Sequence, residues 1–337
     1  MVYNVIGFLI ADKCNFTCQH CCNESHPHGE TMLDIDAACR CIDEASAHGG
    51  FREVGISGGE PFLFPKQLAQ ITRHAASRGL SFAVTSNGFW ATSPAAAERA
   101  LGPLHQDGLR CLNLSISPFH LPFTTPEKWQ AAAAAAVKLG MVTRVNCVCT
   151  RTFGLDDAHQ LLGADADAVE FVPMPCIPTG RAAEFVLASE LLLAPGIPTG
   201  SCAQHFTKLA VTADGEVFPC CSPGGFTPPL KVGDVRHDSV GEIIAGMTEN
   251  PLIQILRSAG PSFFAPYITR ALGPDALHKT YVDQCHLCHA IMTDDATRAV
   301  IEGVIAQLVR DMATLHIDIA SLADDMPVSS PGPLLMV

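Results

Sequence analysis

Short apolar runs alternate with longer stretches in which apolar residues recur every three or four positions, and this alternation fills the first half of the chain. The runs at Tyr3–Leu9, Glu53–Ser57, Ser81–Thr85, Cys111–Ser115, Met141–Val148 and Ala168–Val172 read as strands. They return about once in thirty residues. The stretches between them read as helices with legible ends. Thr31 precedes MLDIDAACRCIDEASAHGG, Ser93-Pro94 precedes AAAERAL, and Thr125-Pro126 precedes EKWQAAAAAAVKLG. Each offers a side-chain oxygen to free backbone N–H groups, and two place proline in the first turn. Gly49, Gly79 and Gly140 stand where helices should stop. Strand–helix repetition of this period requires parallel strands joined by right-handed crossovers, so the expected class is α/β, a barrel of six visible units rather than eight.

The texture changes after Val172. PMPCIPTGRA and LLLAPGIPTGSC are rich in proline and glycine and mark the exit from the barrel. KLAVTADGEVFPC, Lys208 to Cys220, reads as a β-hairpin turning at Asp214-Gly215, with helices expected near Ser239–Met247 and Asp295–Thr314. The division is residues 1–185 for the barrel, 186–315 for a second module with a C-terminal helix, and 316–337 for a loose tail.

Composition narrows the chemistry. The chain has 337 residues, and its 34 acidic against 21 basic residues give a formal charge of −13 with no Lys/Arg run, which disfavours nucleic acid and anionic membranes as partners. No stretch reaches the roughly eighteen uncharged apolar residues of a membrane span. The opening MVYNVIGFLIADK lacks a basic flank and a small-residue cleavage site, so it reads as a buried strand and the expected location is cytoplasmic. In a reducing compartment, fifteen cysteines point to metal or redox chemistry instead of a disulfide scaffold. Cys39, Cys41, Cys147 and Cys149 fall in helical or strand patterns, where free cysteine behaves as a small buried hydrophobe.

Cys14, Cys18 and Cys21 are spaced C-x3-C-x2-C on the loop after the first strand. Three thiolates on a four-iron cube leave one iron open, and an open metal position is what catalysis requires. Tetrahedral zinc, completed by His20 or His26, fits the spacing as well. At the end of the second strand lies SGGEP, Ser57 to Pro61, in which glycines admit close backbone approach and Glu60 can pair an ammonium. With these motifs the chain resembles the radical S-adenosylmethionine (radical SAM) enzymes, whose signature is C-x3-C-x2-C on the first loop of a partial (β/α)6 barrel. The resemblance implies a [4Fe–4S] cluster on Cys14, Cys18 and Cys21, with SAM on its free iron. It further implies that Gly58, Gly59 and Glu60 meet the methionine amino group. His20 stands where the family usually has an aromatic beside the adenine. Asn87 in TSNGFW is counted with the cofactor contacts, and related enzymes hold the SAM carboxylate with a serine of the fourth strand and an arginine of the fifth, implying Ser115 and Arg144. An arginine there also fits a reach to solvent or to an internal acid. His120 in SPFH either faces substrate or is simply packed.

A second set of cysteines, Cys202, Cys220, Cys285 and Cys288, follows a C-x12-G-x4-C…C-x2-C pattern around the hairpin. Four thiolates suit zinc or a cluster. The pattern resembles the twitch or shortened SPASM module, which implies an auxiliary [4Fe–4S] cluster and two clusters in all. Cys221, adjacent to Cys220, fits a substitute ligand, an inert thiol or a donor of a hydrogen atom to a substrate radical, a role free cysteines have in some related epimerases, and Cys176 is the other candidate donor.

The implied reaction takes one electron from an external donor such as flavodoxin or ferredoxin, splits SAM to methionine and a 5′-deoxyadenosyl radical, and removes a hydrogen atom from an unactivated carbon. The auxiliary cluster would conduct electrons or anchor the fold. The expected substrate is a ribosomally made precursor peptide undergoing epimerisation or crosslinking. The alternatives are a small molecule such as an aminosugar and, from another class, a non-catalytic iron–sulfur or zinc protein.

Overall fold

The computed structural model describes residues 3–203 and 205–315. The expected tail, 316–337, lies outside them. Six parallel strands follow one another in sequence and in space: β1 (Val5–Leu9), β2 (Glu53–Ser57), β3 (Ser81–Ser86), β4 (Leu109–Ile116), β5 (Val142–Cys149) and β6 (Glu170–Pro175). The helices α1 (Ile35–His48), α2 (Pro65–Ser77), α3 (Pro94–Asp107), α4 (Pro126–Lys138) and α5 (Leu155–Leu162) connect them, and the short α6 (Arg181–Phe185) follows β6.

Alternation along each strand separates two surfaces. Ile56, Val84, Leu112, Leu114 and Val145 enter the core with Ile42, Leu68, Ile71, Leu101 and Trp129 of the helices. Their neighbours in sequence are small or polar. Register sets Gly7 beside Gly55, Gly55 beside Ala83, and Ala83 beside Cys111, with Asn113 beside Thr85. This second surface leaves space at the C-terminal ends of the strands. Cys41, Cys147 and Cys149 are buried in the core as expected, while Cys39 is only half-buried.

The helix ends lie where expected, with two corrections to their caps, the first being that Thr125 stands at the start of α4 without a side-chain cap hydrogen bond. Ser93 Oγ accepts the Ala96 N–H at 3.2 Å, and Gly49 closes α1 at φ +81°. The cap of α1 is Asp34, not Thr31: Asp34 Oδ1 accepts the N–H groups of Asp36 and Ala37 at 2.9 and 3.2 Å. Thr31 is taken up elsewhere, its carbonyl accepting the Asp12 N–H.

The second module is joined to the barrel by strand pairing. After β7 (Ala194–Pro195), the hairpin of β8 (Lys208–Val211) and β9 (Glu216–Phe218) forms as expected, but β8 pairs in parallel with β1, from Val5↔Lys208 to Phe8↔Val211. With β10 (Gly233–Asp234) this makes one nine-stranded sheet in the order β10-β9-β8-β1-β2-β3-β4-β5-β6. Its borders are the two-residue β10 and β6, which carries Pro173 and Pro175. The helical layer is shared as well. Of α7 (Val240–Glu249), α8 (Pro251–Ala259), α9 (Ala265–Leu272), α10 (Gln284–Thr293) and α11 (Asp295–Leu315), α7 packs on α1, and the Val240 N–H bonds Glu44 Oε2 at 2.8 Å. β11 (Thr280–Tyr281) pairs antiparallel with β7. No helix among the described residues is long and apolar enough to cross a membrane.

Candidate active site and auxiliary metal centre

Beyond β1 the chain leaves and returns on a hydrogen-bonded stem. Leu33 N–H reaches Ile10 O, Asp12 N–H reaches Thr31 O, and Cys14 N–H reaches His26 O, at 3.0–3.1 Å. The head of this loop carries Cys14, Cys18 and Cys21. Two other segments press on it. Gly59 N–H donates to Ala11 O at 2.7 Å and Glu60 N–H to Lys13 O at 2.9 Å; a Cβ on Gly59 would stand 1.8 Å from Lys13 O, and Gly58 has φ +114°. The glycines of SGGEP are therefore required by the close approach of two backbones. On the opposite side, Gly180 (φ +53°) lies against the Cys21 and Cys22 carbonyls. Arg181 donates from N–H to Cys21 O at 3.1 Å, from Nε to Cys18 O at 2.9 Å and from Nη2 to Ser25 O at 2.8 Å. Sequence reasoning missed Arg181. Its signal was a glycine-arginine pair inside a segment read only as the barrel exit.

A cavity of about 140 Å³ opens at this point, at the C-terminal ends of the strands. Cys14, Cys18, Cys21, Gly58, Gly59, Glu60, His20, Asn87, Ser115 and Cys176 all line it, as does His120. Burial pushes the Cys14 thiol up to about 12, opposed by the Phe16 N–H that points at its sulfur. Burial raises Cys18 too, reinforced by Cys14 and Cys21. Three thiols crowded in this way, with Asn87 Nδ2 3.8 Å from Cys14 Sγ, are a donor set that a cationic cluster would complete by displacing their protons.

Arg144 is corrected. Its Nε pairs Glu170 Oε2 at 2.8 Å and its Nη1 meets Cys111 Sγ at 3.2 Å. Glu170 is its direct partner in the β5–β6 register, and the internal acid thus wins over a cofactor carboxylate. Asn146, two residues nearer the rim on the same face, lines the cavity instead. Replacing Arg144 with Met should therefore leave SAM affinity unchanged while lowering the melting temperature, and Ser115→Ala should weaken SAM binding without that loss; calorimetric titration beside thermal melts separates the two. Cys221 also lies outside the main cavity. It lines a void of about 20 Å³ with Gly7, Ala210 and Phe226, which shares Asn23 and Ser57 with the main cavity.

Glu60 is buried, and its carboxylate accepts three hydrogen bonds, Oε1 from Phe62 N–H at 3.0 Å and Ser86 Oγ at 2.9 Å and Oε2 from Asn87 N–H at 2.8 Å, which leaves Oε2 room for a further donor. Burial raises its pKa to about 7, and these three bonds oppose the rise. Because the folded value exceeds the unfolded 4.5, the folded chain holds the proton more tightly. Stability from this group is fully present below pH 4.5 and is lost as pH rises through 7. Roughly 3 kcal/mol is at stake. Urea midpoints of metal-free protein should fall between pH 5 and 8, and Glu60→Gln should flatten that slope.

His20 stacks on Phe119 with ring centroids 5.0 Å apart and meets His120 edge-on at 4.9 Å. Burial holds His20 well below its ordinary pKa, with His120 and Arg181 adding to the fall, and burial brings His120 to about 4. Both rings are neutral near pH 7. His120 Nδ1 is held by Ser117 Oγ at 2.7 Å, so His120 is packed and bonded as well as facing the cavity, while His20 Nδ1 has no partner among the described residues.

The second cysteine set converges from three segments. Cys202 precedes the hairpin, Cys220 ends it, and Cys285 and Cys288 share one face of the first turn of α10, where Asp283 Oδ1 accepts the Cys285 and His286 N–H groups at 2.9 Å. A Cβ on Gly224 would stand 2.1 Å from Cys285 O, and one on Gly225 2.5 Å from Cys220 Sγ. Burial raises Cys202 and Cys220 to about 12 and lifts Cys288 well above an ordinary thiol, each reinforced by other members of the set. Among the described residues no three His, Cys, Asp or Glu side chains form a group that could hold a single metal ion.

Comparison with known proteins follows the same division. The radical SAM superfamily model matches residues 8–162, and the SPASM model, an iron–sulfur cluster-binding domain, matches residues 202–289. A Bacillus subtilis (strain 168) protein named for peptide biosynthesis, YydG, is 22% identical over 268 residues, 78% of this chain and 83% of that protein. GTP 3′,8-cyclase 1 of Pseudomonas aeruginosa is 26% identical over 54% of this chain and 58% of its own length. Among solved structures, anSMEcpe with bound AdoMet aligns with TM-score 0.56 and 12% identity over 92% of this chain and 99% of that one. BtrN with AdoMet and 2-DOIA aligns with TM-score 0.50 and 15% identity over 78% and 90%. The paired domain matches overturn the non-catalytic alternative, and the two domains imply [4Fe–4S] clusters. The chain belongs to the radical SAM superfamily, an enzyme whose radical SAM domain is followed by a SPASM-type iron–sulfur domain.

Proposed function

We propose that the enzyme removes a hydrogen atom from a ribosomally synthesised peptide, in the course of epimerising or crosslinking it. The observation that carries this reading is the extent of the similarity to YydG, which spans both domains and 83% of a protein named for peptide biosynthesis. Cys14, Cys18 and Cys21 hold the first cluster, and Cys202, Cys220, Cys285 and Cys288 a single auxiliary one of the twitch kind. When bound and reduced by a donor such as flavodoxin or ferredoxin, the first cluster and SAM supply a 5′-deoxyadenosyl radical. The chain's own residues do the rest. Gly58, Gly59, Glu60, Asn87 and Ser115 fix the polar end of SAM against the cysteine loop, with Asn146 in the position expected of Arg144. His20, backed by Phe119, presents a flat ring to the cavity, as suits an adenine. The crowded apolar flank of the cavity, Val148, Met174 and Ile177, excludes water from the reacting carbon. Cys176 lies in the cavity wall and Cys221 in the adjoining void, so either thiol can return a hydrogen atom to a substrate radical.

Anaerobically reconstituted, dithionite-reduced enzyme should form 5′-deoxyadenosine, and the Cys14/Cys18/Cys21→Ala triple variant should not, while keeping iron at the second site. Peptides encoded beside the gene, incubated in D2O, should gain deuterium at carbon if a thiol is the donor, and either Cys176→Ala or Cys221→Ala should abolish that label. Fully loaded enzyme that makes no 5′-deoxyadenosine refutes the reaction. Turnover of aminosugars but of no peptide refutes the substrate class.

A further inference from the structure

We propose that Arg181 is the counter-charge of the cluster held by Cys14, Cys18 and Cys21, and that it sets how readily that cluster accepts an electron. This rests on the ligand reading given above. Arg181 is half-buried and lines the main cavity, the one Lys or Arg side chain among the described residues to do so. No carboxylate among the described residues forms an ion pair with it. A guanidinium withdrawn from water without an anion is costly. Here the anion is missing from the protein and would come with the cluster, because three thiolates and a reducing electron add negative charge next to it.

The geometry fixes the cation at that place. Nε donates to Cys18 O and Nη2 to Ser25 O, at 2.9 and 2.8 Å, so the fork spans the cysteine loop and cannot swing away. Gly180 makes this possible: its positive φ and missing Cβ let the segment lie on the Cys21 and Cys22 carbonyls. Among the described residues Arg144 does not line the cavity and is spent on Glu170.

The electron balance is simple. A low-potential donor loses one electron, the cluster gains it, and a fixed positive charge favours the reduced form. Arg181 is a positioning residue in this account; it transfers no atom. The test is the midpoint potential of the SAM-sensitive electron paramagnetic resonance signal in holoenzyme, read beside iron content. Arg181→Gln should lower the reduced-to-oxidised ratio at a given donor potential about tenfold, a shift of 59 mV for one electron. Arg181→Lys keeps the charge but not the fork, and should stay near the wild-type potential while melting at a lower temperature. A glutamine variant with full iron and the wild-type potential overturns the proposal, as does a lysine variant shifted downward; the lysine arm decides alone if the glutamine variant takes up no iron. The Cys14/Cys18/Cys21→Ala variant separates the two readings. If the SAM-sensitive signal survives there, the ligand assignment has failed; if it is lost there but unmoved in Arg181→Gln, only the role of Arg181 has.

Discussion

Gly59→Ala should empty the radical site and leave the auxiliary one filled. The new methyl carbon would stand 1.8 Å from Lys13 O and 2.4 Å from Lys13 C, and neither is a flexible side-chain tip. The cysteine loop would have to lift off β2, breaking the Gly59–Ala11 and Glu60–Lys13 hydrogen bonds that set its height over the cavity. Overpacking of this kind costs roughly 1–3 kcal/mol. The larger effect is on function, because Cys14 lies one residue beyond Lys13. Iron should fall from about eight to about four per chain, and 5′-deoxyadenosine formation to background. Gly102→Ala in α3, where a Cβ meets nothing within 4 Å, is the matched control and should keep both clusters. A Gly59→Ala enzyme with full iron and normal SAM cleavage would show that the loop does not depend on this contact.

The second large effect concerns truncation. A chain ending at residue 200 should aggregate instead of yielding a free barrel with one cluster. Cutting there removes β8 from β1 along four register pairs, so that the strand carrying the cysteine loop becomes an unpaired border. It also strips Leu209, Val211, Val217, Ile243 and Met247 from the shared core, and leaves the Tyr3 hydroxyl without its acceptor at Pro219 O. Soluble expression, circular dichroism and a thermal melt check this. A cooperative transition and four bound irons in the shortened chain would restore the division at residue 185 as a boundary between independent units.

What the sequence disclosed and what it withheld divide by the range of the interaction involved. The six barrel strands were legible because alternation and β-branched residues act within a few positions, and the hairpin because Asp214-Gly215 turns it locally. The first cysteine motif was legible because its three thiols are neighbours on one loop, whereas the second set, spread from Cys202 to Cys288, was gathered only through its resemblance to a known module. The misplaced α1 cap shows a limit even at short range. Thr31 and Asp34 carry equivalent capping oxygens, and only the return of the chain to Asp12 decides between them. Arg144 could be assigned to a strand but not to a depth along it, and depth is set by the β5–β6 register that puts Glu170 opposite. Arg181 bonds a carbonyl 163 positions away, and a backbone acceptor has no side-chain signature. The parallel pairing of β8 with β1 is likewise a matter of distant partners, which no hydrophobic period encodes.

Both margins of the sheet are closed to growth. Pro173 and Pro175 have no N–H to offer a newcomer, and the far margin, Gly233-Asp234, is too brief to seat one. A peptide substrate of the kind proposed would find no ladder to join on this sheet among the described residues and would have to enter by the mouth above the thiolates, which would limit modification to residues on segments narrow and supple enough to reach it.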